Sequence, residues 1–334
     1  MKLGILTDLY QQHKLYEKSC QKLNIDYITI DLCTSNWLDI IQENIDCNGF
    51  IVRPMYDYEV QRDVYIERLF IISKHFKKPL YPTYEELMLY ENKRNMANFL
   101  AVNNFPHVKT HVFLKKQEAI DFFLQCKYPV VIKSNLGAGG LGVEIVKTRQ
   151  RAKKIMNRIF GRLTSLFVMG HPQKRKKWGI NIPVHGTAEK HVMLVQEYKE
   201  IKWEWRIIKI GNSFFGHQKL LKNQFASGSG LVGWETPPKI LLDLVGNVCD
   251  TGHFYSMAVD IFETKDNQYY INELQSVFGS YLDYQMKIND IPGRFLYKNG
   301  DYVFEEGAFN HFGSCLLRVE HFLKLLAGCP NQPS

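Results

Sequence analysis

The chain has 334 residues, 45% hydrophobic and 23% charged, which excludes wholesale disorder and gives length for two or three lobes. Forty-two basic against 34 acidic residues leave a formal charge of +8, much of it in Arg149–Lys154 and Lys174–Lys177. Such runs are solvated faces or attract a polyanion, and no nucleic-acid module accompanies them. Seven scattered cysteines without CxxC pairs or zinc spacing argue against a disulfide framework and for a reducing, cytoplasmic setting. No apolar run reaches the ~20 residues of a membrane span, and Met1–Asp8 reads as a strand start, not a signal peptide.

In chain order, Leu3 to Leu6, Asp26 to Asp31 and Asn48 to Arg53 read as strands. They alternate with helices over Asp8 to Leu23, Trp37 to Glu43 and Val64 to His75, the last with Ile66, Leu69, Phe70 and Ile72 inward. Alternation of this kind predicts an open parallel sheet with helices on its faces. No glycine fingerprint follows the first strand, so substrate binding at the strand ends is expected there rather than a dinucleotide. Thr83-Tyr-Glu-Glu86 is a capping box opening a helix. A helix over Asn92 to Val102, a strand over Val108 to Phe113 and a helix over Glu118 to Cys126 follow.

Val130-Val-Ile-Lys133, a loop with Gly137, Gly139, Gly140 and Gly142, and Val143 to Val146 form strand, glycine loop and strand. Clustered glycines let backbone N–H groups close on a phosphate, and Lys133 adds a charge at the strand end. An ordinary tight turn is the competing reading. A P-loop and a dinucleotide fingerprint both fail, because a strand and not a helix follows. Gln150 to Phe160 is a basic amphipathic helix, and 170–190 reads as a polar, mobile insertion.

The second half is strand-rich. Met193 to Tyr198 is a strand, and Trp203 to Lys219 is a hairpin turning at Gly211-Asn212. Ala226 to Gly230 is a second glycine loop. Pro238 to Ser256 is a helix with Ile240, Leu241, Leu244, Val245 and Val248 as its apolar stripe. Met257 to Phe262 and Gln268 to Leu274 are strands joined by a turn. If they pair, Asp260 and Glu273 stand on neighbouring strands with Gln275 nearby, a hard-ligand set suited to Mg²⁺ (or Mn²⁺). The alternative is strand-edge acids in salt bridges.

Taken together, these motifs resemble those of the ATP-grasp enzymes over roughly Lys93 to Gln275. The resemblance implies ATP as cofactor, with Lys93, Lys133 and Gly137, Gly139, Gly140 and Gly142 around its phosphates. It puts Gln196, Glu197 and Tyr198 at the adenine edge and Glu204 on the ribose. Arg206 and Lys219 would be the cations near the transferred phosphoryl group. Asn223, Ser227, Gly228, Ser229 and Gly230 would lie beside the second substrate, and Asp260, Glu273 and Gln275 would form the metal set. The family usually has Asn where Gln275 stands; Asn272 is an alternative ligand, although strand alternation would point it away from Glu273.

The implied fold is α/β, becoming α+β in the C-terminal half: an ATP-grasp fold behind an N-terminal parallel-sheet lobe. The expected divisions are an N-terminal lobe (1–92), linking helices and strand (93–128), a lid (129–198) and a C-terminal subdomain with the metal site (199–334). The expected activity joins a small-molecule carboxylate to an amine through an acylphosphate, releasing ADP and phosphate. Polysaccharide or peptide-like metabolite biosynthesis is the suggested setting. A kinase on the same fold and a non-catalytic nucleotide-binding protein are the other readings. No nucleic-acid or membrane partner is expected, and homodimerisation is left open.

Overall fold

A computed structural model describes residues 1–7, 13–54, 59–137, 142–161, 173–177, 180–184, 190–222, 226 and 230–328, with backbone alone at 59–60, 173–177 and 180–184. Gly139, Gly140, Asn223, Ser227, Gly228 and Ser229 lie outside these described residues, as does much of the 170–190 segment.

The first lobe runs β1 (Lys2–Thr7), α1 (Lys14–Lys22), β2 (Asp26–Asp31), α2 (Trp37–Glu43), β3 (Gly49–Val52), α3 (Glu59–Phe70) and β4 (Leu80–Tyr81). The strands form a parallel sheet in the order β2-β1-β3-β4. Alternation on β1 sends Leu3 and Ile5 to one face and Leu6 to the other, and both faces are covered. Ile41, Leu69 and Ile72 cover the second face. Phe70 is 40% exposed, against the expectation that it points inward; it meets the rings of His75 and Tyr84 edge-on outside the core.

Helix α4 (Tyr84–Leu89) opens with the expected capping box: Glu86 N–H donates to Thr83 Oγ1 at 3.1 Å, and Thr83 N–H to Glu86 Oε2 at 2.7 Å. Glu86 is fully buried because its other oxygen accepts from Ser256 N–H at 2.9 Å, tying this lobe to the far half of the chain. Helix α5 (Lys93–Val102) follows, N-capped by Asn92.

The middle part comprises β5 (Thr110–Phe113), α6 (Lys116–Gln125), β6 (Val130–Lys133), β7 (Val143–Val146), α7 (Arg149–Ile159), β8 (Gln173–Lys177), β9 (Ile180–Val184) and β10 (Met193–Glu197). Its antiparallel sheet has the order β5-β10-β6-β7, while β8 and β9 pair with each other as a separate hairpin. Val130, Ile132, Met193 and Val195 pack against α6 and α7. Their alternates, Lys133, Leu194 and Gln196, line a cleft on the opposite face. Gly142, at φ 74°, takes a left-handed conformation as its carbonyl accepts from Ser134 N–H and closes the glycine hairpin.

The last part contains β11 (Ile201–Ile210), β12 (Ser213–Lys219), β13 (Val232–Gly233), α8 (Lys239–Gly252), β14 (Ser256–Thr264), β15 (Tyr269–Gln275), β16 (Lys287–Ile288), β17 (Ile291–Lys298), β18 (Asp301–Glu306) and α9 (Cys315–Leu326). The large antiparallel sheet runs β15-β14-β11-β12-β17-β16, with β13 on β12 and β18 on β17. Trp205, Ile207, Phe214, Val259 and Ile261 form one face, packed under α5 and α8. Ile240 is not part of that stripe; it is 61% exposed, and Leu241, Leu242, Val245, Val248 and Cys249 make the contact. Each such large apolar side chain contributes about 1.5–3 kcal/mol on burial. Helix α9 returns to the first lobe and packs Val319 and Phe322 against Leu3, Ile5 and Ile51. Gly49 permits this contact, since a Cβ there would sit 2.5 Å from Phe322 Cζ.

Candidate active site

The second face of the large sheet changes character along its strands. At one end Ile208, Phe215 and Ala258 are apolar and buried. Two residues further along the same alternating face stand Arg206, His217 and Asp260, then Glu204 and Lys219. Register places Arg206 between His217 and Asp260, and Glu204 opposite Lys219. The Arg206 guanidinium grips Asp260 side-on, Nε to Oδ1 and Nη2 to Oδ2, both at 2.8 Å. Lys219 Nζ donates to Asp260 Oδ2 and, at 2.6 Å, to Glu204 Oε1.

Buried charges survive only when paired, and this network pairs them. Burial alone would raise the Asp260 pKa, but Arg206 and Lys219 hold it well below the usual carboxylate range. Burial likewise opposes the charge on Arg206, and Asp260 more than offsets it, raising the guanidinium above its ordinary value. Glu204 is shifted up, mainly by burial, against the pull of Lys219.

Strands β14 and β15 pair Asp260 with Glu273 but then Ile261 with Ile271, so Asn272 is an extra, bulged residue. Ile271 and Leu274 both enter the core under α5 and α8, which leaves the consecutive Asn272 and Glu273 on the charged side. Asn272 Oδ1 accepts from Lys133 Nζ at 3.0 Å, and its Nδ2 donates to Glu204 Oε2 at 2.9 Å. Glu273 pairs with Lys93 at 3.7 Å. Simple alternation predicted that Asn272 would point away; the bulge overturns that, because one inserted residue reverses the side-chain phase.

Across the cleft, Lys93 Nζ donates to Gly137 O at 2.8 Å, and Gly137 N–H donates to Glu91 Oε2 at 3.0 Å, so α5 and the glycine loop are tied together. The cleft is walled by Met96, Leu100, Val108, Leu194 and Ile271, with Lys93, Lys133, Gln196, Asn272, Thr110 and His107 as its polar residues. An apolar slot ending in two ammonium groups suits a flat heterocycle carrying phosphates. Burial lowers the Lys133 pKa to about 8, opposed chiefly by Glu273.

Lys93, Lys133, Gln196, Glu204, Arg206, Lys219, Asp260, Glu273 and Gln275 are therefore drawn to one cleft and the sheet face beneath it. Glu197 is exposed and pairs with Lys199 at 3.3 Å, with half-buried Tyr198 beside it. Glu204 has both oxygens hydrogen-bonded inside the network, one to Lys219 and one to Asn272. Gly230, at φ 71°, precedes Leu231, whose carbonyl accepts from Leu220 N–H.

The metal set has suitable donor chemistry, but Asp260 is committed to two cations and Gln275 Oε1 accepts from Arg206 Nη2 at 3.1 Å. Among the described residues no three His, Cys, Asp or Glu side chains converge on a metal position. Glu273, paired with Lys93 at 3.7 Å, is the carboxylate of the set held least tightly.

Sequence reasoning missed His217. Its Nδ1 bonds the Gln285 carbonyl at 2.9 Å, which fixes Nδ1 as the protonated nitrogen and leaves Nε2 as an acceptor. Burial lowers its pKa to about 4, assisted by Arg206 and Lys219, so the ring is neutral near pH 7. Its alternation with Lys219 was legible; its neighbour Arg206 needed the hairpin register.

Residues 92–171 match the family model described as the ATP-binding domain of the carbamoyl-phosphate synthase L chain. Alpha-aminoadipate–LysW ligase LysX of Saccharolobus solfataricus is 26% identical over 247 residues, 69% of this chain and 78% of that protein. The solved structure of N5-carboxyaminoimidazole synthetase from Staphylococcus aureus complexed with ADP is similar with a TM-score of 0.58 at 13% identity, covering 89% of this chain and 82% of that one. D-alanine–D-alanine ligase from Bacillus anthracis has a TM-score of 0.56 at 13% identity, covering 98% and 99%.

Proposed function

This chain has the ATP-grasp fold, and from that premise we propose that it is an ATP-dependent ligase joining a carboxylate to an amine. The observation that carries the reading is the convergence of Lys93 and Lys133, from separate elements, on one apolar cleft above the Arg206–Lys219–Asp260–Glu204 network. The similar LysX and D-alanine–D-alanine ligase are both named as ligases, which supports it.

In this reading the adenine lies between Leu194 and Met96, and the phosphates meet Lys93 and Lys133. A magnesium ion arriving with the nucleotide would neutralise phosphate charge, and Glu273 and Gln275 would be the side chains to hold it. The acceptor carboxylate attacks the γ-phosphorus, the bond to the β-γ bridging oxygen breaks, and ADP leaves. Arg206 and Lys219, already ordered by Asp260, offer positive charge that needs no reorganisation as the oxyanions develop. An amine then attacks the acyl carbon, the C–O bond to phosphate breaks, and inorganic phosphate leaves. The proton lost by the amine is taken up by the departing phosphate, whose second ionisation lies near neutrality.

The test is nucleotide release by the purified chain with panels of carboxylates, with and without amines. ADP and phosphate formed only when both partners are present fits the proposal. AMP formation, or ADP formed with an alcohol alone, refutes it.

A further inference from the structure

Two guanidinium groups outside the cleft have no acid to neutralise them among the described residues. Arg53 follows β3 at the C-terminal edge of the parallel sheet. Its Nη1 donates to Phe278 O at 3.3 Å and contacts Cys315 Sγ at 3.6 Å, while its buried Nε has no partner. Its Nη2 lies 3.5 Å from where a Cβ on Gly279 would stand; that Cβ would also come within 2.9 Å of Gly313 O. A side chain at Gly279 would stand in contact with Nη2.

Arg318, only 1% exposed, lies beside it. Its Nη1 donates to Tyr16 OH and its Nη2 to Ser276 O, both at 3.2 Å, and its guanidinium carbon sits 3.8 Å over the Phe278 ring. Its Nε and the buried Ser276 hydroxyl are also unpartnered. Both arginines meet the first turn of α9, whose N-terminus adds partial positive charge. Unneutralised positive charge gathered in one buried place is costly unless an anion joins it.

The free edge defines the anion. Nε and Nη2 of an arginine are two parallel donors, and Arg206 uses that same edge to hold the planar Asp260 carboxylate at 2.8 and 2.8 Å. On Arg53 neither atom of that edge has a partner among the described residues, and Nε is buried. The chain from Gln275 to Phe278 is three residues, at most ~11 Å even when extended, so the edge lies within a short molecule's length of the charged network.

We propose that Arg53, backed by Arg318, is a carboxylate-binding site, and that the acid substrate is a small dicarboxylate with one carboxylate docked here and the other presented to the nucleotide. The substrate part of this rests on the ligase reading; the binding site does not. It places ligand recognition at the strand ends of the first lobe, where open parallel sheets present their ligands.

The test is calorimetric titration of the full chain with succinate, glutarate and adipate, with butyrate and inorganic phosphate as controls. At least one dicarboxylate is expected to bind more tightly than butyrate. Arg53→Met should weaken it about 10- to 100-fold, with ADP affinity changed less than about twofold. Arg53→Lys keeps the charge without the fork and should still lose most of the affinity, which covers the case in which the methionine variant does not fold. No dicarboxylate binding to wild type, binding indifferent to both substitutions, or binding of phosphate alone overturns the site. Arg53-dependent binding without ligation would keep the site and reject the ligase; ligation of acids indifferent to Arg53 would do the reverse.

Discussion

Replacing Asp260 by asparagine would leave Arg206 and Lys219 facing a neutral amide of nearly the same shape. The wild-type carboxylate accepts two 2.8 Å bonds from Arg206 and another from Lys219, and its side chain is 1% exposed. Removing one partner of a buried ion pair costs about 3–5 kcal/mol, because the remaining charge stays buried without compensation. At ~1.4 kcal/mol per decade, the unfolding equilibrium should shift by about two to three and a half decades. Urea denaturation followed by tryptophan fluorescence, with EDTA present, measures this. The sign is diagnostic. Were Asp260 held chiefly as a metal ligand, its metal-free neighbourhood would be a knot of repelling acids, and neutralising it would stabilise the fold. An unchanged or raised midpoint would refute the ion-pair account. Removing Arg206 as well, in Asp260→Asn/Arg206→Met, should recover part of the loss. Glu273→Gln, whose wild-type partner Lys93 is 3.7 Å away, should cost far less.

Lys133→Met should lower ATP-dependent ADP release at least about 100-fold while leaving the denaturation midpoint near wild type; retained turnover would remove Lys133 from the phosphate site. Burial raises the Glu86 pKa to about 7, above its unfolded value, so the folded state binds the extra proton. Its stabilising contribution is therefore full below about pH 4.5 and is lost as pH rises through about 7. Midpoints measured across that window should fall relative to those of Glu86→Gln, and parallel curves would contradict the shift. The His217 ring should remain neutral from pH 5.5 to 8 by NMR, with the proton on Nδ1; a titration midpoint above 6 would contradict the buried neutral ring.

Much of the local architecture was written in the sequence because its signals act over a few residues. The Thr83–Glu86 capping box, the β6–β7 glycine hairpin and the hairpin turning at Gly211-Asn212 each depend on side chains or φ angles within one turn. Period-two alternation places Glu204 with Arg206, and Lys219 with His217, on one face of each strand, a signal present in the sequence although His217 was passed over. Tertiary structure decided the rest. Only the register shows that Asp260 belongs to Arg206 and Lys219, and only the bulge brings Asn272 round to Lys133. Arg53 gave no local signal, since its partners Phe278 and Cys315 lie 225 and 262 residues away. The return of α9 onto the first sheet is equally silent: an apolar helix face specifies that it will be buried, not against which surface. Periodicity fixes the side of an element on which a residue falls. What that side meets depends on long-range packing, where charge pairing and close contact select one arrangement from the many that local pattern allows.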